Sequence, residues 1–269
     1  MTTLNESLFA NLGVDVKQAK RVIKNKYGHR VDFINKAKNL LRYGRNTSVG
    51  TSQTTVMTLV GSELHETYIS DNLIDTISSS NALDTQDVVI DGHTIDSDGN
   101  FTFISQNATL SGQNKVVLTT PLARCEEIYN NSGTDLQGVV YVYQEQSITA
   151  GVPQTDNKVH CVIRQGHNQS EKCSFTTASD EYCLITNFTA AVVEKNSAYG
   201  DFELQVREKG KVFREIDLVV TSSQGSYIQN LVPCDIIPPN SDVRMVVTAD
   251  NASTDIGATI RGYYARILS

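Results

Sequence analysis

The sequence predicts a mainly β chain: two antiparallel β-sandwich domains, jelly-roll-like or immunoglobulin-like, preceded by an N-terminal helical segment. Three observations carry that expectation. Phe202, Leu204 and Val206 alternate with Asp201, Glu203, Gln205 and Arg207. After the Glu208-Lys209-Gly210-Lys211 turn, Ile216, Leu218 and Val220 alternate with Glu215 and Asp217. A period of two places one set of side chains in a core and the other in water. Further short strand candidates, separated by turn residues, flank this hairpin on both sides, and a lone hairpin is marginal in water. Finally, residues 1–45 hold ten Lys/Arg against Glu6, Asp15 and Asp32. That makes +7, and since the whole chain carries −7, the other 224 residues carry −14. Such a split points to different partners for the two parts.

Residues 14–43 read as helix. Asp15 with Gln18 three positions on resembles a capping box, and Val16, Ala19, Ile23 and Tyr27 recur at helical spacing. Gly28 interrupts, and Val31, Ile34, Lys38 and Leu41 continue with a narrow apolar stripe. The basic residues of this segment (Lys17, Lys20, Arg21, Lys24, Lys26, Arg30, Lys36, Lys38, Arg42 and Arg45) form an expected partner-binding surface. It is either a solvated face covering the end of a β domain or an anchor that docks on protein or nucleic acid. Protein is favoured over nucleic acid, because the segment lacks aromatic stacking platforms.

The expected organisation is a basic helical anchor over 1–45, a linker over 46–53, a first β domain over 54–146, a connection over 147–158 and a second β-sandwich over 159–269. Strands are expected at 54–60, 76–79, 87–94, 101–110, 115–120, 124–129 and 138–144. They are expected again at 159–164, 172–177, 182–194, 201–207, 212–221, 227–231, 243–248 and 254–267. Turn residues separate them, among them Asp96-Ser97-Asp98-Gly99-Asn100 and Pro238-Pro239-Asn240-Ser241.

The motifs leave catalysis unsupported without excluding it. Asp96, Asp98 and Asn100 suggest oxygen ligands for calcium, but the residues after them begin a strand and not the rest of an EF-hand, so a hairpin turn is the better reading. His160, Cys161, His167, Cys173 and Cys183 raise zinc, yet adjacent strand residues such as His160 and Cys161 face opposite ways. The five cysteines form no C-x-x-C pair and are expected as buried structural thiols. No G-x-S-x-G, P-loop or G-x-G-x-x-G occurs. The expectation is a non-enzyme without metal or cofactor, with no secretory signal and no apolar run of membrane-spanning length.

Three stretches carry a resemblance. They are Gly166-His167-Asn168-Gln169-Ser170 leading into Cys173-Ser174-Phe175-Thr176 and Tyr182-Cys183-Leu184-Ile185-Thr186; Gly210-Lys211-Val212-Phe213-Arg214-Glu215; and Ile236-Ile237-Pro238-Pro239-Asn240-Ser241-Asp242-Val243-Arg244 followed by Ile260-Arg261-Gly262-Tyr263-Tyr264-Ala265-Arg266-Ile267. Over this C-terminal part the chain resembles virion structural proteins of tailed bacteriophages, particularly marine podovirus-like ones; residues 118–143 do so more weakly. Where similar proteins carry Val-Pro-Ala-Gly before the Tyr-x-Ile-Thr strand, this chain has Thr177-Ala178-Ser179-Asp180-Glu181.

The resemblance implies a non-enzymatic, multi-copy building block of a virion, homo-oligomeric and bound to other virion proteins in the neck or tail region through its N-terminal segment. Nucleic acid and membrane are not implied partners. The alternative is a head decoration or fibre protein that binds a receptor or glycan. For that reading Tyr199, Tyr227, Tyr263 and Tyr264 are the candidate aromatics, with core or interface packing as the plainer role.

Overall fold

The computed structural model describes residues 38–193, 198–222, 225–251 and 253–266. They are nearly all antiparallel β. The chain opens with β1 (Lys38–Val49) and β2 (Thr54–Thr55). Then come β3 (Ile74–Ser79), β4 (Asp87–Ile95), β5 (Phe101–Thr109), β6 (Val116–Leu122), β7 (Arg124–Asn130), β8 (Val140–Gln144), the small hairpin β9 (Ile148–Thr149) and β10 (Val152–Pro153), and β11 (Val159–Ile163). The last seven are β12 (Ser174–Thr176), β13 (Glu181–Val192), β14 (Tyr199–Glu208), β15 (Arg214–Ser222), β16 (Ser226–Ile237), β17 (Ser241–Ala249) and β18 (Thr254–Arg266).

Eight of these strands pair as one long rolled hairpin. β1 pairs with β18, β12 with β17, β13 with β16 and β14 with β15, so the first meets the last and each pair nests inside the previous one. Rolling joins β18 to β13 in one sheet and β17 to β14 in the other. The resulting orders, β1-β18-β13-β16 facing β12-β17-β14-β15, are those of a jelly roll. Ile185, Phe188 and Ile260 from one sheet meet Phe202, Leu204 and Met245 from the other in a single apolar core. A second sandwich, β11-β8-β3-β6 over β5-β4-β7, closes on Ile74, Ile77, Ile90, Leu122, Ile128 and Ile163. It is inserted between the first and second strands of the roll.

This connectivity corrects several expectations. Residues 38–43 are strand, not helix; the remainder of the expected helix, 14–37, lies outside the described residues. β1 gains a ladder to β18 from Lys38↔Tyr264 to Val49↔Thr254, and Gly44 lets its backbone lie against Val56 and Cys173. Those long-range bonds override a weak helical stripe. The expected linker 46–53 therefore begins inside β1. Strand pairing also crosses the expected boundaries: β2 joins the roll through β17, while β11 pairs with β8 of the insert.

The organising hairpin forms with Gly210 at φ 71°, but half of it is out of phase with the reading. Gln205 pairs with Glu215 and Leu204 with Asp217, which leaves Ile216 as an extra residue. That β-bulge flips the strand beyond it. Val219 and Thr221 point into the core, whereas Leu218 and Val220 are exposed. The Asp96–Asn100 segment is the expected turn: Asp96 Oδ1 accepts from the backbone N–H of Asp98 (2.9 Å) and Asn100 (2.8 Å).

Candidate functional site

The seam where the inserted sandwich rests on the jelly roll carries the densest chemistry of the described chain. β7 reads Arg124-Cys125-Glu126, and all three residues are buried. Cys125 lies in the insert's own core, while Arg124 and Glu126 reach the roll. A strand covered on both faces loses the alternation of a half-exposed one.

At the centre Arg124 donates to Asp242 at the start of β17, Nε to Oδ1 at 2.8 Å and Nη2 to Oδ2 at 3.2 Å. Arg207 of β14 donates to the same carboxylate, Nη2 to Oδ2 at 2.5 Å. Burial would raise the Asp242 pKa, but the two guanidinia outweigh it and hold the carboxyl below its ordinary range. Aromatic rings pack the guanidinia: Arg124 lies 4.9 Å from the Phe101 centroid, and Arg207 lies 4.4 Å from Tyr68 and 4.7 Å from Phe213.

On one side Arg42 of β1 donates to Glu126 and Glu127, each at 2.7 Å. Glu126 also accepts the backbone N–H of Thr176 at 2.5 Å, and its Oε1 lies 3.1 Å from His93 Nδ1. Burial pushes the Glu126 carboxyl up, yet His93 and Arg42 bring it down to about 2. On the other side Lys172, just before β12, donates to Glu66 at 2.5 Å and to the carbonyls of Cys125 and His160. Ser174 Oγ donates to the other Glu66 oxygen at 2.7 Å. Burial disfavours the Lys172 ammonium, but Glu66, with Cys161 and Cys125 adding to it, outweighs that and holds the group above its usual range.

Such an arrangement is a clamp. Removing two charges from water is costly, and each carboxylate here is compensated by cations and hydrogen bonds. The oxygens of Asp242 and Glu66 are taken up by these partners, and the Thr176 hydroxyl donates to Asp242 at 2.8 Å. What the seam can do is fix the angle between the two sandwiches.

The expected site residues fall elsewhere or dissolve into the fold. Lys17, Lys20, Arg21, Lys24, Lys26, Arg30 and Lys36 lie outside the described residues. Of the other three expected anchor cations, Arg42 is locked in the seam, Arg45 pairs with Asp255 at 2.6 Å, and Lys38 sits 5.4 Å over the Phe103 ring. Tyr199 and Tyr227 are exposed and Tyr263 is half-buried. Tyr264 packs edge-on against Phe175 at 5.8 Å with its hydroxyl buried, so it offers no free platform. The five metal candidates do not converge: His160 is buried beside Gln144, Cys161 lies in the insert's core, His167 is in a surface turn, and Cys173 and Cys183 lie in the core of the roll. Sequence reading passed over Arg124, Glu126, Lys172 and Asp242, whose one signal is a charge set inside an apolar strand pattern.

No family model matches the chain, and no curated protein matches it. Among solved structures it is similar to chains of the infectious bursal disease virus Gt strain (9% identity, 88% of this chain and 72% of that one, TM-score 0.22) and Gx strain (9%, 88% and 77%, TM-score 0.19). It is similar also to the infectious bursal disease virus VP2 subviral particle (9%, 88% and 73%, TM-score 0.21). At TM-scores of this size the likeness assigns neither fold nor role.

Proposed function

We propose that the chain is a non-enzymatic structural component of a virus particle, present in several copies. The observation that carries this reading is the jelly roll with a second sandwich held on it by buried ion pairs. That is a stiff two-body block, and jelly rolls recur in capsid proteins as well as lectins and cupins. Fold alone does not assign function. Two further features support assembly. β15 and β16 are edge strands of their sheets, and Leu218, Val220 and Ile228 expose apolar surface on them, which suits contacts between copies. The C-terminal residues resemble virion proteins of tailed phages, and within that reading a neck or tail position is proposed, with the basic residues between 17 and 36 as the attachment handle. Repetition would turn weak contacts into firm attachment.

The test is particle composition. Mass spectrometry of purified particles is expected to find the chain at a fixed copy number. A variant lacking residues 1–37 is expected to fold and to be left out of particles. Absence of the full chain from particles overturns the structural reading; full incorporation of the truncated chain overturns the handle.

A further inference from the structure

We propose that the cleft between the β4–β5 turn and the β14–β15 turn binds an anionic sugar unit, a carboxylated or sulfated monosaccharide within a glycan. The inference does not depend on the particle assignment. The cleft has a volume of about 320 Å³ and lies at the outer mouth of the seam. That is the size of a small-ligand pocket and larger than an inorganic anion needs.

Its charge is opposite to that of the molecule around it. The chain carries −7, but Arg124, Arg207, Lys209 and Lys211 line this cleft against only Glu208 and Asp242. Both carboxylates are already engaged: Asp242 sits between Arg124 and Arg207, and Glu208 accepts from Arg214 at 2.7 Å. Arg124 is engaged too, by Asp242 and by the carbonyls of Ile69 and Ala123, but the other three cations are less committed. Lys211 is exposed, and Arg207 binds Asp242 through Nε and Nη2, which leaves Nη1. Lys209 bridges the two turns through a 2.9 Å bond to Asn100. A guanidinium edge and an ammonium lining the same partly enclosed space suit a carboxylate or sulfate.

The apolar part of the lining is what argues for a sugar. Tyr68 and Phe101 pack against the guanidinia, and beside them the half-buried Ile69 and Ile95 give an apolar surface that can take the C–H face of a pyranose. Asn240 and Ser70 lie on the same cleft and can exchange hydrogen bonds with ring hydroxyls.

Calorimetric titration of the full chain at low ionic strength, with glucuronic acid, glucose 6-sulfate, glucose and sodium sulfate, tests this. Saturable binding of either charged sugar is expected, with glucose and sulfate each weaker by roughly ten-fold or more. Lys211→Glu, an exposed change, is expected to weaken the charged sugars roughly ten-fold. Three results overturn the proposal: no saturable binding of either charged sugar, sulfate binding as tightly as the sugars, or affinities that Lys211→Glu leaves unchanged.

Discussion

Arg124 and Asp242 stand 118 positions apart in sequence, yet Arg124 grips the carboxylate with two N–H groups at 2.8 and 3.2 Å. One belongs to the inserted sandwich and the other to the jelly roll, so this pair fastens the two bodies. Arg207 shares the carboxylate from within the roll. Asp242→Ala is expected to destabilise by about 3–5 kcal/mol, because it strands a buried guanidinium. Arg207→Ala, on a side chain 26% exposed, is expected to cost about 1 kcal/mol or less. Urea unfolding midpoints decide; equal losses would mean that Asp242 is not the hub.

Acid should loosen the seam in two steps. Burial, then Lys172 and Arg124, hold the His160 imidazole down to about 3 from its usual 6.5. The unfolded chain then takes up a proton below pH 6.5 that the folded chain refuses, so stability falls as pH drops from 6.5 towards 3, by about 1.4 kcal/mol per unit. Glu126, held at about 2 against 4.5, contributes stability above pH 4.5 that is lost as pH falls towards 2. His160→Gln is expected to flatten the melting-temperature profile between pH 6.5 and 5. Glu126→Gln should act on its slope only below 4.5. A flat wild-type profile from pH 6.5 to 5 contradicts the neutral buried imidazole.

Strand β1 sets where the chain can be cut. Removing 1–37 is expected to leave the fold and its melting temperature intact. Removing 1–49 takes away β1, one of the two neighbours of β18, including the buried Leu40 and Val49, and is expected to abolish cooperative unfolding. Circular dichroism during heating distinguishes the two, and a cooperative melt without β1 would count against its place in the roll.

The bulge at Ile216 gives a sharp contrast between neighbours. Val219→Asp places a charge in the core and is expected to cost about 4 kcal/mol or more, while Leu218→Asp on the exposed face should stay within about 0.5 kcal/mol. The reverse order in chemical denaturation would restore the uninterrupted alternation.

Gly44 is a packing requirement. A Cβ there would lie 2.1 Å from the Val56 carbonyl oxygen and 2.5 Å from the Cys173 backbone nitrogen. Gly44→Ala is expected to lower stability by about 2 kcal/mol or more, since rigid backbone has to move apart. Gly50→Ala, with open space around it, is the control and should change little.

Most strands could be read locally. Residues 87–94 and 101–110 nearly coincide with β4 and β5, because alternation and the Asp96–Asn100 turn act within a few residues. The small β9–β10 hairpin and the full length of β16 could not, since neither shows a clear period of two. Of the seam, the sequence offered only charges in odd places, such as Arg124 and Glu126 around Cys125.

By itself, then, the amino-acid order determined that this is a β protein, where its turns fall, and that its basic residues crowd towards one end. Tertiary structure alone decided that Lys38 lies opposite Tyr264, that one sandwich is threaded into the other, and that Arg42 is an internal rivet instead of an anchor. Side-chain alternation and turn chemistry are short-ranged. The partner of a strand, and whether its second face is also covered, depend on groups a hundred or more residues away.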